Sequence, residues 1–294
     1  MSAALSWLAR CAVVAAALLL ACQVATAWIG TALQQPAVTT RDGSLITLNR
    51  YIQEPLPDVV LVGSSVTWRL KEEYFAHPRV RNLGLAGGSP LTGLEIVAKQ
   101  RRLPRIVLIE TNVLSRRVDN ALVQKFSGGV RPDALFLRPI RTVIAAYESW
   151  RHASPSPAQV HAELEQVLRQ PPATFDNTAY ADRALEQMNA EDPTLATRDN
   201  VALIKELIAD IERRGARALL IEVPYSPEIE GSRFARITKD IVHGAFPDSH
   251  RWLPIDPPHV DLRWADGIHL DERSALLVVR AIEKALAERG ERPS

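Results

Sequence analysis

Apolar residues gather along the chain in four short runs, DVVLVG (58–63), VRNLGL (80–85), RIVLIET (105–111) and ARALLIEVP (216–224), each bounded by Gly, Pro or polar residues. A strand with one wet face alternates apolar and polar positions. These runs do not alternate, and their Val, Ile and Leu content predicts parallel strands covered on both faces. Between and after them the apolar spacing changes to the helical period, predicting helices over 68–75, 91–101, 199–214, 232–243 and 272–289. Arg213 and Arg214 followed by Gly215 supply a cationic last turn and a C-cap just before the fourth run. This βαβ rhythm predicts an α/β domain with a doubly wound, mostly parallel sheet over 58–294. A mostly helical insertion at about 115–198 interrupts it, with breaks at Pro132, Pro139, Pro155, Pro157, Pro171 and Pro172.

The N-terminus follows a different pattern. Residues 11–33, CAVVAAALLLACQVATAWIGTAL, carry no charge and show no polar face. At about 1.5 Å per residue they reach across the ~30 Å hydrocarbon core of a bilayer, which predicts a transmembrane signal anchor over 1–33. Arg10 and the amino terminus are the cations on the short side, so the positive-inside rule keeps the N-terminus in the cytoplasm and sends the domain outward. Two other outcomes stay open: signal cleavage after Ala25-Thr26-Ala27, and lipidation at Cys22 in Leu19-Leu20-Ala21-Cys22. All three place the domain outside the cytoplasm, in a periplasm or its equivalent. Residues 34–57 mix Pro, Gly, Thr and charge without sustained periodicity and are expected to be a linker.

Composition narrows the chemistry. Hydrophobic residues make up 47% of the chain, enough to bury a proper core. Lys and Arg number 35 against 34 Asp and Glu, for a net charge of +1, so no broad field points to nucleic acid as a partner. Cys11 and Cys22 both lie in the apolar N-terminal stretch, which leaves the domain without a thiol nucleophile, a disulfide or cysteine metal ligands. The histidines at 77, 152, 161, 243, 250 and 259 show no regular ligand spacing, and neither a metal nor a cofactor is expected.

In open parallel sheets, ligands bind beyond the carboxyl ends of the strands. Four polar clusters fall at such ends or in nearby loops: Gly63-Ser64-Ser65, Gly84-Leu85-Ala86-Gly87, Glu110-Thr111-Asn112 and Asp266-Gly267-Ile268-His269. A serine hydroxyl becomes a nucleophile when a base takes its proton and a carboxylate orients that base. Asp266 and His269 stand three apart, so the carboxylate can reach one ring nitrogen while the other faces a serine. Glycine-turn N–H groups and an Asn amide are suitable donors to an oxyanion. Taken singly, each cluster also reads as a turn or a helix cap.

The order of these blocks resembles the SGNH or GDSL hydrolase family, whose motifs supply in turn a Ser, a Gly, an Asn and an Asp-x-x-His. VVLVGSSVTWRL is similar to that family's strand followed by Gly-Asp-Ser-x-Thr, NLGLAGG to Asn-x-Gly-x-x-Gly, IVLIETN to the strand ending in Gly-x-Asn-Asp, and DGIHL to Asp-x-x-His. The resemblance covers about 58–289 without the insertion. It implies a three-layer α/β/α sandwich with a flavodoxin-like sheet. It also implies Ser65 as nucleophile, His269 as base, Asp266 as its orienter, and Ser65 N–H, Gly87 N–H and the Asn112 amide as oxyanion donors. Two departures stand out: Ser64 where the family has Asp, and Glu110 and Val113 where Gly and Asp are usual. Membrane-anchored relatives that acylate or deacylate envelope polymers are similar in having Gly-Ser-Ser or Gly-Thr-Ser.

The expectation is therefore a tethered serine esterase acting through an acyl-enzyme on an acylated glycan or a lipid-like ester. Ser64, Trp68 and Tyr225 are further candidates for substrate contact. Two alternatives remain: an O-acyltransferase using the same triad in polysaccharide acetylation, and a catalytically silent accessory protein that uses the fold to bind an envelope partner.

Overall fold

The computed structural model describes residues 3–29, 39–127, 144, 147, 151 and 155–291. The chain divides into two compact units, Met1–Glu54 with Arg131–Pro155 and Pro55–Val130 with Ser156–Ser294.

In the first unit, α1 (Ala3–Ile29) contains a stretch, Ala3–Cys22, of mean hydropathy 2.1 with none of it buried. It is long and apolar enough to cross a membrane. The helix starts earlier than the uncharged run because Ser6 to Arg10 are compatible with helix, Arg being a good helix former. Helix α2 (Thr40–Gln53) occupies most of the segment expected to be a linker. A capping box starts it: Asp42 N–H donates to Thr39 Oγ1 at 3.1 Å, and Thr39 N–H donates to Asp42 Oδ2 at 3.3 Å. Leu45, Leu48 and Tyr51 are its buried stripe. That stripe is only three residues long, and Gly43 with β-branched Thr40, Ile46 and Thr47 dilutes the helical signal, which is why periodicity does not reveal it.

The second unit is α/β with a four-stranded, all-parallel sheet of order β2-β1-β3-β4. The strands are β1 (Val59–Gly63), β2 (Val80–Gly84), β3 (Ile106–Glu110) and β4 (Arg217–Ile221), each inside one of the four apolar runs. Val59 to Val62 are fully buried, and Val107, Leu108 and Ile109 likewise. Adjacent strand residues point to opposite faces, so both faces of the sheet are covered. Each such side chain contributes about 1.5–3 kcal/mol of transfer free energy. Register pairs Val59 with Val80 and with Ile106, and Gly63 with Gly84. Every strand therefore ends at the same edge, and the residues that follow Gly63, Gly84, Glu110 and Ile221 collect there.

Helices α4 (Pro90–Ala98) and α8 (Thr194–Arg213) lie close to the predicted spans, as do α10 (Arg233–Ala245) and α11 (Glu272–Glu288), which follow the short α9 (Pro227–Glu230). The helix expected over 68–75 is not formed. Only α3 (Ser65–Trp68) and a 3-10 turn at Glu72–Tyr74 appear. Asn82 on β2 explains the break, because its amide donates to Thr67 O at 2.7 Å and Leu70 O at 2.6 Å, carbonyls that a continuing helix would have used. Of the insertion, α5 (Asn120–Ser127), α6 (Pro157–Arg169), α7 (Thr178–Ala190) and the start of α8 are described. Pro132 and Pro139 lie outside the described residues.

Candidate active site

Strand β1 ends at Gly63, and the chain turns at once into α3 with Ser64 as N-cap, its Oγ accepting from Val66 N–H at 3.2 Å. Ser65 is the first helical residue. On the neighbouring strand, one step beyond the Val62–Ile109 pair, Glu110 reaches under this turn. Its Oε2 accepts from Ser64 N–H at 2.7 Å, Thr67 Oγ1 at 2.7 Å and Thr67 N–H at 3.2 Å, and Ser64 Oγ donates to Oε1 at 2.8 Å. A Cβ on Gly63 would stand 2.2 Å from Thr67 Oγ1 and 2.6 Å from Glu110 Oε2. Only glycine fits there.

A loop near the C-terminus comes over the same edge. Trp264 and Leu270 bridge antiparallel, and Ala265 N–H donates to His269 O at 2.8 Å. Gly267, with φ at +82°, makes the turn between them, and its carbonyl accepts Ser226 N–H at 3.0 Å. Asp271 closes the loop as N-cap of α11. Within this frame Asp266 Oδ1 accepts His269 N–H at 2.8 Å and Ile268 N–H at 3.1 Å, while Oδ2 lies 2.7 Å from His269 Nδ1. His269 Nε2 is 2.8 Å from Ser65 Oγ. With Nδ1–H directed at a carboxylate, the hydrogen-bond pattern leaves Nε2 as the acceptor for the serine proton.

Half-burial alone would raise the Asp266 carboxyl. The hydrogen bonds from the His269 ring and N–H, the charge of His269 and the Ile268 N–H outweigh it and hold the group at about 2. The orienting carboxylate is thus ionised across the range in which a histidine base works.

The three candidate oxyanion donors sit on neighbouring strand ends. Ser65 N–H donates to no group among the described residues. Gly87 follows β2 with φ at +75° and open space where a Cβ would stand. Asn112 follows β3 and is locked to the end of β4: its Nδ2 donates to Val223 O at 2.8 Å and its Oδ1 accepts Val223 N–H at 2.9 Å. Two bonds fix the amide plane. The second Nδ2 hydrogen is not taken by Val223, and the Tyr225 phenol is a neighbour on which the amide acts.

The other sequence candidates divide. Ser64 is fully buried with its hydroxyl on Glu110, where it shapes the turn. Trp68 is 48% exposed one turn after Ser65, with the Arg69 guanidinium 5.7 Å from its ring. Tyr225 is buried. Burial pushes its phenol well up, the Glu110 carboxylate adds to the rise, and the Asn112 amide opposes it. Tyr225 and Asn112 wall a cavity of about 670 Å³ together with Trp252, Trp264, Lys239 and Glu230. Ser65 and His269 are not among its walls.

The sequence places Glu110 in a strand-end polar cluster without giving it a role, and does not mark Thr67, Val223 or Asn177 as parts of the site. A carboxylate ending the otherwise apolar IVLIE strand was the one available signal. Asn177, just before α7, donates to Trp264 O at 2.5 Å, and Ala181 packs beside Gly267, so the insertion buttresses the histidine loop. Among the described residues no group of three or more His, Cys, Asp or Glu side chains could hold a metal ion. No family model, curated protein or solved structure matches this chain.

Proposed function

We propose that the chain is a membrane-tethered serine acyl-ester hydrolase of the SGNH type, with a three-layer, flavodoxin-like catalytic domain outside the cytoplasm. The observation that carries this reading is the continuous Asp266–His269–Ser65 hydrogen-bond chain, in which both contacts are within 2.8 Å. Three groups from two distant parts of the sequence have no structural need to meet in this order.

In the reaction, Ser65 Oγ adds to the ester carbonyl carbon as His269 Nε2 takes its proton, and Asp266 stabilises the imidazolium that results. The carbonyl oxygen becomes an oxyanion facing Ser65 N–H, Gly87 N–H and the Asn112 amide. Collapse breaks the ester C–O bond, His269 protonates the leaving alkoxide, and an acyl-Ser65 ester remains. Water, deprotonated by His269, then adds to that ester and releases the acid. A sugar hydroxyl in place of water would complete O-acyl transfer by the same steps. The cavity beside Asn112, with Trp252, Trp264 and Tyr225 in its walls, supports a glycan as the substrate, since aromatic faces take up sugar C–H surfaces while nearby charged groups bond hydroxyls. The apolar helix α1 supports an envelope location.

The test is acetate release by the full chain in detergent from p-nitrophenyl acetate and from O-acetylated oligosaccharides, beside Ser65→Ala. Turnover lost in a folded Ser65→Ala variant supports the reading, and acetyl recovered on an added sugar instead of in water marks transfer. A folded wild type that neither turns over an ester nor labels on serine favours the accessory-protein alternative.

A further inference from the structure

Two of the positions at which the chain departs from the resembled pattern, Ser64 and Glu110, meet in the structure. Glu110 is fully buried, and an ionised group in that setting needs its oxygens filled by donors. Four are supplied, all by the turn that carries Ser65: the N–H and hydroxyl of Ser64, and the N–H and hydroxyl of Thr67. The allocation of N–H groups follows from this. Ser64 N–H and Thr67 N–H go to Glu110, Val66 N–H goes to Ser64 Oγ, and Trp68 N–H goes to Ser64 O at 3.0 Å. Of the five N–H groups from 64 to 68, Ser65 N–H is the one with no partner among the described residues.

We infer that Glu110 is a positioning residue for Ser65: its carboxylate, carried by β3, stands in for the carboxylate that a Gly-Asp-Ser turn carries on itself, and by taking up the neighbouring donors it reserves Ser65 N–H for the oxyanion. The two departures are then one exchange, in which a carboxylate moves from the turn to the strand beneath it. The absence of room for any side chain at Gly63 follows from the same arrangement, because Glu110 Oε2 and Thr67 Oγ1 fill that space. What Ser65 does chemically rests on the hydrolase reading above; the arrangement of the turn does not.

The test compares full-length wild type, Glu110→Gln, Glu110→Ala and the double variant Ser64→Asp/Glu110→Ala. The measurements are the rate at which a fluorophosphonate labels Ser65, kcat and KM for p-nitrophenyl acetate, and the melting temperature. Glu110→Gln keeps the shape of the side chain, removes its charge and sets an NH2 against the Ser64 hydroxyl that donates to Oε1, while the amide oxygen can keep the two N–H groups. It is expected to slow labelling and to lower kcat by about 10²-fold, with KM for p-nitrophenyl acetate unchanged. A residue with a merely structural role would reduce the folded fraction and leave kcat per folded molecule as it was. The double variant is expected to regain about tenfold or more of the labelling rate lost in Glu110→Ala, together with part of its melting temperature. Glu110→Gln reacting at the wild-type rate, or a double variant no faster and no more stable than Glu110→Ala, overturns the inference. If the folded wild type itself does not label, the hydrolase reading fails. The melting temperatures then decide the carboxylate exchange by themselves, recovery in the double variant upholding it and none overturning it.

Discussion

His269 Nε2 stands 2.8 Å from Ser65 Oγ, although 204 positions of sequence separate the two residues. Strand β1 delivers the serine and the loop ahead of α11 delivers the imidazole, so their contact depends on the whole sheet edge. If it is catalytic, Ser65→Ala and His269→Ala should each lower kcat by about 10⁴-fold or more, and the double variant should be little worse than either single one. Steady-state kinetics on folded protein checks this, and additive losses would count against a shared machine.

Asp266 gives a prediction with a defined pH window. Its carboxyl is held at about 2 against an ordinary 3.8. A depressed carboxylate stabilises the fold fully above its unfolded pKa, and the contribution fades as pH falls through the folded value. Wild type should therefore melt above Asp266→Asn at pH 4 and higher, and the difference should close as the pH approaches 2. At neutral pH the same variant should lose about 10⁴-fold in kcat through the wrong imidazole tautomer. Melting curves from pH 2 to 6 that run parallel would refute the assignment.

In the proposed reading Asn112 has two purposes that can be separated. Its amide ties β3 to β4 through both polar groups of Val223, so Asn112→Ala leaves a buried N–H and C=O unpaired and should destabilise by about 1–3 kcal/mol. Loss of an oxyanion donor should further reduce kcat by about 10²–10³-fold. Urea unfolding beside kinetics on the folded fraction distinguishes the two effects.

At Gly87 the obstacle to a side chain is conformation and not space, since a Cβ there meets nothing within 4 Å. Gly87→Ala should cost about 1–2 kcal/mol for the positive φ. A turn that relaxes to negative φ would re-aim the N–H, so kcat should fall with little change in KM. Equal kcat in the folded variant would remove Gly87 from the donor set.

Much of the candidate site could be read from the sequence because its residues lie where apolar runs stop. The strands showed as uninterrupted Val, Ile and Leu, and parallel register then brings Ser65, Gly87 and Asn112 to one edge. What could not be read depends on pairing between segments. Glu110 looks like a misplaced charge until β1 and β3 are aligned and it falls beneath Ser64. Asn82 ends the helix after Trp68 from a different strand, and Val223 orients Asn112 from across the sheet. Helix α2 escaped notice because its cap, Thr39 with Asp42, is stronger than its three-residue apolar stripe.

The central claim, that Ser65 is an activated nucleophile, is tested most directly by treating the full-length protein with a fluorophosphonate and locating the adduct by peptide mass spectrometry. The account predicts one adduct, on the peptide bearing Ser65, absent in folded His269→Ala. A folded wild type with no adduct, or with its adduct on another serine, would contradict it.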